Sequence, residues 1–235
     1  MIKKLIATVF LLSLALFAFV GVDRVFQTFG SKTQTDDALS SEQSISSPNL
    51  KQEDENLLIA DVAVRDHVRG PRDAGVSIVE FVDLDCPYCA QFHPTMLRIM
   101  QNYPDVNWIY RHFPLDPVHP NAFTKAVAAE CVSNNHGNDA FWKLIDFLLQ
   151  NQTLTPEQLP AAVEALGYDK IKFETCFATQ ATASRVRGDQ QQALAAGGGG
   201  TPFTIILFEE ETIPLRGLVS YETVAAILDS LAEQK

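Results

Sequence analysis

The run Val76-Ser77-Ile78-Val79-Glu80-Phe81-Val82, followed closely by Cys86-Pro87-Tyr88-Cys89, decides how this chain reads. Seven largely apolar residues describe a buried strand. Beyond them Cys89, Phe92, Met96 and Ile99 share one face at helical spacing, so the pattern predicts a helix over about Cys86–Tyr103. Two cysteines separated by two residues, where a strand gives way to a helix, form the arrangement of a thiol–disulfide centre. A helix N-terminus offers unpaired N–H groups and the positive end of a macrodipole, and both favour a thiolate. Cys86 sits in that field and is the expected nucleophile. Cys89 lies a turn further in on the apolar face and is expected to be buried, as the resolving thiol. Pro87 suits the first turn, where its missing N–H has no helical partner to lose.

Upstream, Lys3 and Lys4 precede the uncharged run Leu5–Val22, 18 residues long. That length is short for a membrane span and long for a signal-peptide core. Phe19-Val20-Gly21 makes a poor cleavage site, so an uncleaved anchor over residues 1–29 is expected in preference to a cleaved signal. The lysines place the N-terminus in the cytoplasm and everything after the run outside. The domain then meets an oxidising compartment, where disulfides persist. Residues 30–56 are rich in Ser, Thr, Gln, Asp and Glu without apolar periodicity, the composition of a disordered linker.

The folded domain is expected over residues 57–235. Leu57–Val64 reads as a short first strand and Val106–His112 as a strand after the cysteine helix. Helical patterns follow over Asn121–Asn134, Asp139–Gln150, Thr155–Gly167, Tyr168–Thr179 and Ala181–Ala196. Thr155 and Pro156 look like a cap and a first helical residue. Gly197–Gly200 ends the helical block. Phe203–Phe208 and Thr212–Leu215 read as a hairpin, and Tyr221–Glu233 as a final amphipathic helix. The order is an α/β sheet interrupted by a helical insert over about 115–197.

The formal charge is −11. Without Lys3, Lys4, Arg24 and Asp23 the count is 15 basic against 28 acidic residues, a balance near −13. Nucleic-acid binding needs a basic footprint and is excluded. The two remaining cysteines, Cys131 and Cys176, lie in different helices of the insert. Leftover cysteines of an exported protein pair more often than not; two separate buried thiols are the alternative. No spacing suits a metal, and Gly197–Gly200 lacks the Lys-Ser/Thr of a phosphate loop.

Val79-Glu80-Phe81 before Cys86-Pro87-Tyr88-Cys89, then Phe92-His93-Pro94, Tyr110-Arg111-His112-Phe113-Pro114-Leu115, His119-Pro120 and Gly200-Thr201-Pro202 together resemble the DsbA family of bacterial thiol–disulfide oxidoreductases, in the thioredoxin superfamily. The resemblance runs from about Leu57 to the C-terminus. It implies a thioredoxin fold with a helical insertion, and a cis Thr201–Pro202 bond facing the cysteine pair. Thr201 would then pair with a substrate strand beside Cys86, and Pro87, Tyr88, Thr201 and Pro202 would line the substrate-binding surface. A carboxylate at Glu80, inside an apolar strand, is costly unless its pKa rises. The resemblance gives it the role of proton relay for Cys89; an exposed strand position is the alternative. His93 is roughly 10 Å along the helix from Cys86 and reads as a surface residue. Asp83 and Asp85 are expected to point into solvent, and His112 and His119 receive no chemistry.

The expected protein is thus a membrane-tethered, monomeric oxidase of reduced or unfolded exported proteins, in the bacterial cell envelope. It would need no metal or organic cofactor and would be reoxidised by a membrane quinone-linked partner, as the resemblance implies. A disulfide isomerase or reductase of the same superfamily is the first alternative, and a substrate-holding chaperone with an incidental disulfide the second.

Overall fold

The structure, a computed structural model, describes residues 64–234. The anchor and linker readings lie outside that range, as does the strand expected at Leu57–Val64 except for Val64, which is in a turn. The first strand described is instead β1, His67–Arg69. Three residues, two of them basic, show no usable alternation. What makes them a strand is partnership. β1 pairs antiparallel with β3, Val106–His112. On its open side, Val68 exchanges both backbone bonds with the Asn138 side chain, N–H to Oδ1 at 3.1 Å and Nδ2 to O at 2.9 Å. An amide thus closes an edge that would otherwise invite another strand.

Five strands lie in the order β1-β3-β2-β4-β5. β2, Val76–Val82, runs parallel to β3 and antiparallel to β4, Phe203–Phe208, which pairs with β5, Glu211–Arg216. All seven residues of β2 are buried, as a central strand covered on both faces requires. Ile78, Glu80 and Val82 alternate to one face. That face is covered by α1, Pro87–Asn102, with α2, Ala122–His136, and α3, Asn138–Gln150. Val79 and Phe81 face the other side, against Ala193 and Ala196 at the end of α6, Ala183–Ala195.

Between α3 and α6 a 3₁₀ turn at Pro156–Gln158 leads into α4, Leu159–Ala165, and α5, Lys170–Ala178. Thr155 and Gln158 form a reciprocal capping box there. The alanine-rich α2 is buried without a break from Lys125 to Val132, since its small residues admit neighbours on every side. Cys131 of α2 and Cys176 of α5 are joined in a disulfide. α6 ends at Gly197, whose φ of 78° suits glycine alone. A side chain at Gly198 would meet the Ala193 carbonyl and the Phe203 ring, both at 2.8 Å. α7, Tyr221–Ala232, is capped by Ser220, whose Oγ accepts the Thr223 N–H, and it packs beside α1 on the first face. Among the described residues no helix is long and apolar enough to cross a membrane.

Candidate active site

Cys86 is the N-cap of α1. It has an extended ψ of 120°, and its carbonyl accepts the N–H groups of Cys89 at 3.1 Å and Ala90 at 3.2 Å. Pro87 is the first helical residue. Cys89 falls on the buried stripe with Phe92, His93, Met96 and Ile99. Both thiols are free. Gly200-Thr201-Pro202 comes in from the far side of the insert, with a cis Thr201–Pro202 bond. The Thr201 carbonyl lies 3.4 Å from Cys86 Sγ, and its hydroxyl is buried without another partner. The Pro202 carbonyl is bonded by the Gly217 N–H at 2.9 Å. Tyr88 is the exposed large side chain of the motif.

The two thiols differ sharply. Cys86 is lowered to about 5, first by a hydrogen bond from the Cys89 thiol, against an opposing push from burial. Thr201 and the N–H groups of Cys89 and Tyr88 lower it further. The amides of the first turn therefore contribute as expected, but the second thiol is the larger donor. Burial pushes Cys89 well up, and bonding to Cys86 and the charges of Cys86 and Glu80 add to it. One sulfur is set up as the thiolate and the other as the thiol.

Glu80 is 1% exposed, so the exposed-strand alternative is discarded. It stands between Tyr110 of β3 and Thr204 of β4 in the register. Burial raises its pKa to about 8, with the Trp108 indole pulling weakly the other way, and its Oε2 has no hydrogen bond. Such a group holds a proton at neutral pH beneath Cys89. Tyr110 shares that face, and its buried hydroxyl also lacks a partner. Burial and the charges of Cys89 and Glu80 push its pKa well up, so it stays neutral.

Three expectations are corrected. His93 is buried, at 3% exposure, and its Nε2 is 2.9 Å from Asp146, which also takes a fork from Arg69. Counting from Cys86 places His93 out of reach. Counting from Cys89 places it one turn on, along the inward face. Asp83 does not point into solvent: it is fully buried, accepts the N–H groups of Asp85 and Leu115 and bonds His119 Nδ1 at 2.9 Å. Asp85 is paired with Lys125, itself fully buried. His119 therefore has a place at the active-site loop. His112 belongs to a buried cluster in which His67, His112 and Arg185 all meet Glu130. Burial alone would raise Glu130; the bonds from His112 and His67 outweigh it and hold the carboxyl well below its usual range. Lys125 and Glu130 carry a signal that can be read: charges inside the apolar run Ala126–Cys131 and at its edge need buried partners, as Glu80 does in its strand.

A cysteine with a lowered pKa at a helix start, a buried second thiol and a cis-proline loop across from them are the features that comparison with known proteins has to match. The family model described as Thioredoxin covers residues 63–230. DsbA2 of Pseudomonas aeruginosa superposes with a TM-score of 0.62 and 28% identity, covering 72% of this chain and 95% of its own. This chain belongs to the thioredoxin family, in its DsbA-like form. Wolbachia pipientis alpha-DsbA1 and Bacillus subtilis BdbD agree in fold, with TM-scores of 0.66 and 0.62 at 18% and 20% identity, covering 77% and 72% of this DsbA-like chain and 96% and 93% of their own. Sequence relatives include the Na(+)/H(+) antiporter NhaA 3 of Salinispora tropica, 40% identical over 59% of this chain. Another is the antiporter NhaA of Herminiimonas arsenicoxydans, 33% identical over 70% of it. The DsbA-like chain spans only a fifth to a quarter of the length of these curated relatives, 21% and 25%.

Proposed function

We propose that this DsbA-like protein is an exported oxidase that introduces disulfide bonds into reduced or unfolded proteins through Cys86 and Cys89. A substrate thiolate attacks Cys86 Sγ of the oxidised pair. The sulfur–sulfur bond breaks and its electron pair passes to Cys89 Sγ, which takes a proton from Glu80. The substrate's second thiolate then attacks its own sulfur in the mixed disulfide, releasing oxidised substrate and the Cys86 thiolate. Thr201 and Pro202, with Pro87 and Tyr88, hold the substrate chain beside Cys86. A membrane quinone-linked partner removes the two electrons and restores the disulfide. Residues 1–29 would tether residues 57–235 to the outer side of the inner membrane through the linker 30–56.

The arrangement that carries this reading is Cys86 at the start of α1, its Sγ 3.4 Å from the Thr201 carbonyl and its pKa lowered to about 5, with Cys89 buried behind it and raised. A stable thiolate favours the reduced pair, and a pair that prefers to be reduced gives its disulfide away. The antiporter name of the sequence relatives is not carried over, since the shared stretch is a fifth of their length. Oxidative refolding of a reduced client tests the reading. Cys86→Ser should abolish it, and Cys89→Ser should trap mixed disulfides. Wild-type rates in the Cys86 variant would exclude the thiol mechanism.

A further inference from the structure

The loop between β2 and α1, Asp83-Leu84-Asp85-Cys86, is gripped from the helical segment by side chains distant in sequence. Lys125 of α2 is fully buried and donates from Nζ to Asp85 Oδ1 and, at 2.7 Å, to the Gln152 carbonyl. Gln152, just past α3, turns its amide the other way. Its Nε2 donates to the Cys86 carbonyl at 2.8 Å and to the Leu84 carbonyl at 3.2 Å. The Cys86 carbonyl is the one from which α1 starts, so Gln152 fixes the origin of the helix that presents the nucleophile.

Asp85 is the residue before Cys86. An uncompensated carboxylate there would oppose a thiolate. An ammonium with no exposure would be equally costly without its acid. Each charge is tolerable because the other is present. Asp83 is satisfied separately, by two N–H groups and His119. Among the described residues, Cys89 is the ionisable group that acts on Cys86 most directly, and Glu80 acts on Cys89 behind it.

Building on the proposed oxidase reading, we propose that Lys125 and Gln152 are positioning residues for Cys86. Lys125 cancels the Asp85 charge beside the thiolate, Gln152 fixes the carbonyl that opens α1, and the helical segment thereby sets how readily the pair gives up its disulfide.

Two readouts on the full chain test this: the thiolate absorbance of the reduced protein against pH, and the equilibrium in which protein disulfide and two glutathione thiols yield protein dithiol and glutathione disulfide. Lys125→Met keeps the stem and removes the charge. It should raise the Cys86 pKa by about one unit and shift the equilibrium about tenfold toward the protein disulfide, or about 30 mV. Adding Asp85→Asn should bring both readouts back to within about threefold of wild type, because the charges are coupled. Gln152→Leu should shift both in the Lys125→Met direction and should not be rescued by Asp85→Asn. Asp85→Asn alone, which leaves Lys125 the side-chain oxygen of the asparagine and the Gln152 carbonyl as acceptors, should move them the opposite way, and it decides the matter if Lys125→Met does not fold. A folded Lys125→Met protein with both readouts unchanged overturns the proposal. So does an Asp85→Asn/Lys125→Met protein that keeps the whole shift. If the wild-type pair does not exchange with glutathione, the oxidase reading fails instead, and the thiolate titrations still judge Lys125.

Discussion

Cys86 Sγ lies 3.4 Å from the carbonyl oxygen of Thr201, a residue 115 positions further along the chain. The contact joins the start of α1 to the loop that opens β4, so the surroundings of Cys86 are assembled only when both ends of the domain are folded. Thr201 presents two oxygens with different uses. Its carbonyl accepts from the thiol form of Cys86. Its hydroxyl is buried with no hydrogen-bond partner while Cys86 is a thiol, and the Thr201 side chain is among the groups that lower the Cys86 pKa.

Thr201→Val keeps the shape and removes the hydroxyl. The Cys86 pKa should rise by about half to one unit, since one hydrogen bond to the charged form is lost. Titration of thiolate absorbance measures it. An unchanged titration would mean that Cys89 and the amides of the first turn hold the thiolate without Thr201.

Glu80 ties stability to pH. Its folded pKa of about 8 is raised above the ordinary carboxyl value by burial. Between about pH 4.5 and 8 the folded protein keeps a proton that the unfolded chain releases, so stability falls as pH rises and flattens above the folded pKa. Glu80→Gln removes that slope. It should match wild type near pH 4 and exceed it by roughly 2–4 kcal/mol at pH 8. In stopped-flow exchange it should slow the Cys89 step and spare attack at Cys86. A stability difference that does not change with pH would contradict a buried, protonated Glu80.

The central strands are legible because burial on both faces leaves a largely apolar signal, nearly unbroken in Phe203–Phe208 and carried by Val106, Trp108, Ile109 and Tyr110 in Val106–His112, and both have the same bounds in pattern and structure. The cysteine helix is legible from its stripe. β1 is not, because an Asn138 side chain and a β3 partner make it a strand, and neither is local. The surroundings of Asp83 and Asp85 are hidden for the same reason. Their partners, His119 and Lys125, come from beyond β3, 36 and 40 residues away, and two acids beside a loop read as solvated until those partners are placed. His93 was legible in principle, since its spacing from Cys89 puts it on the buried face.

The Cys131–Cys176 bridge closes a separation of 45 residues. In the chain-entropy account a loop of that length is worth about 4 kcal/mol, and measured values are often lower. Cys131→Ala/Cys176→Ala should therefore lose roughly 2–4 kcal/mol in denaturant unfolding. The Cys86 thiolate should titrate as before, because the bridge lies between α2 and α5 and not at the loop. Full stability in the variant would contradict a bridge in the folded protein.

The reduction potential of the Cys86–Cys89 pair bears most directly on the proposed role as a disulfide donor. A Cys86 pKa near 5 lies about two units below neutral pH. Each unit stabilises the reduced form by about 1.4 kcal/mol, or about 30 mV for two electrons. Starting from the about −270 mV of thioredoxin, that lifts the pair to about −210 mV, toward the oxidase end near −120 mV. Equilibration with glutathione at pH 7 should place it at about −210 mV or above. A value close to −270 mV would contradict the oxidase account and make the protein a reductase.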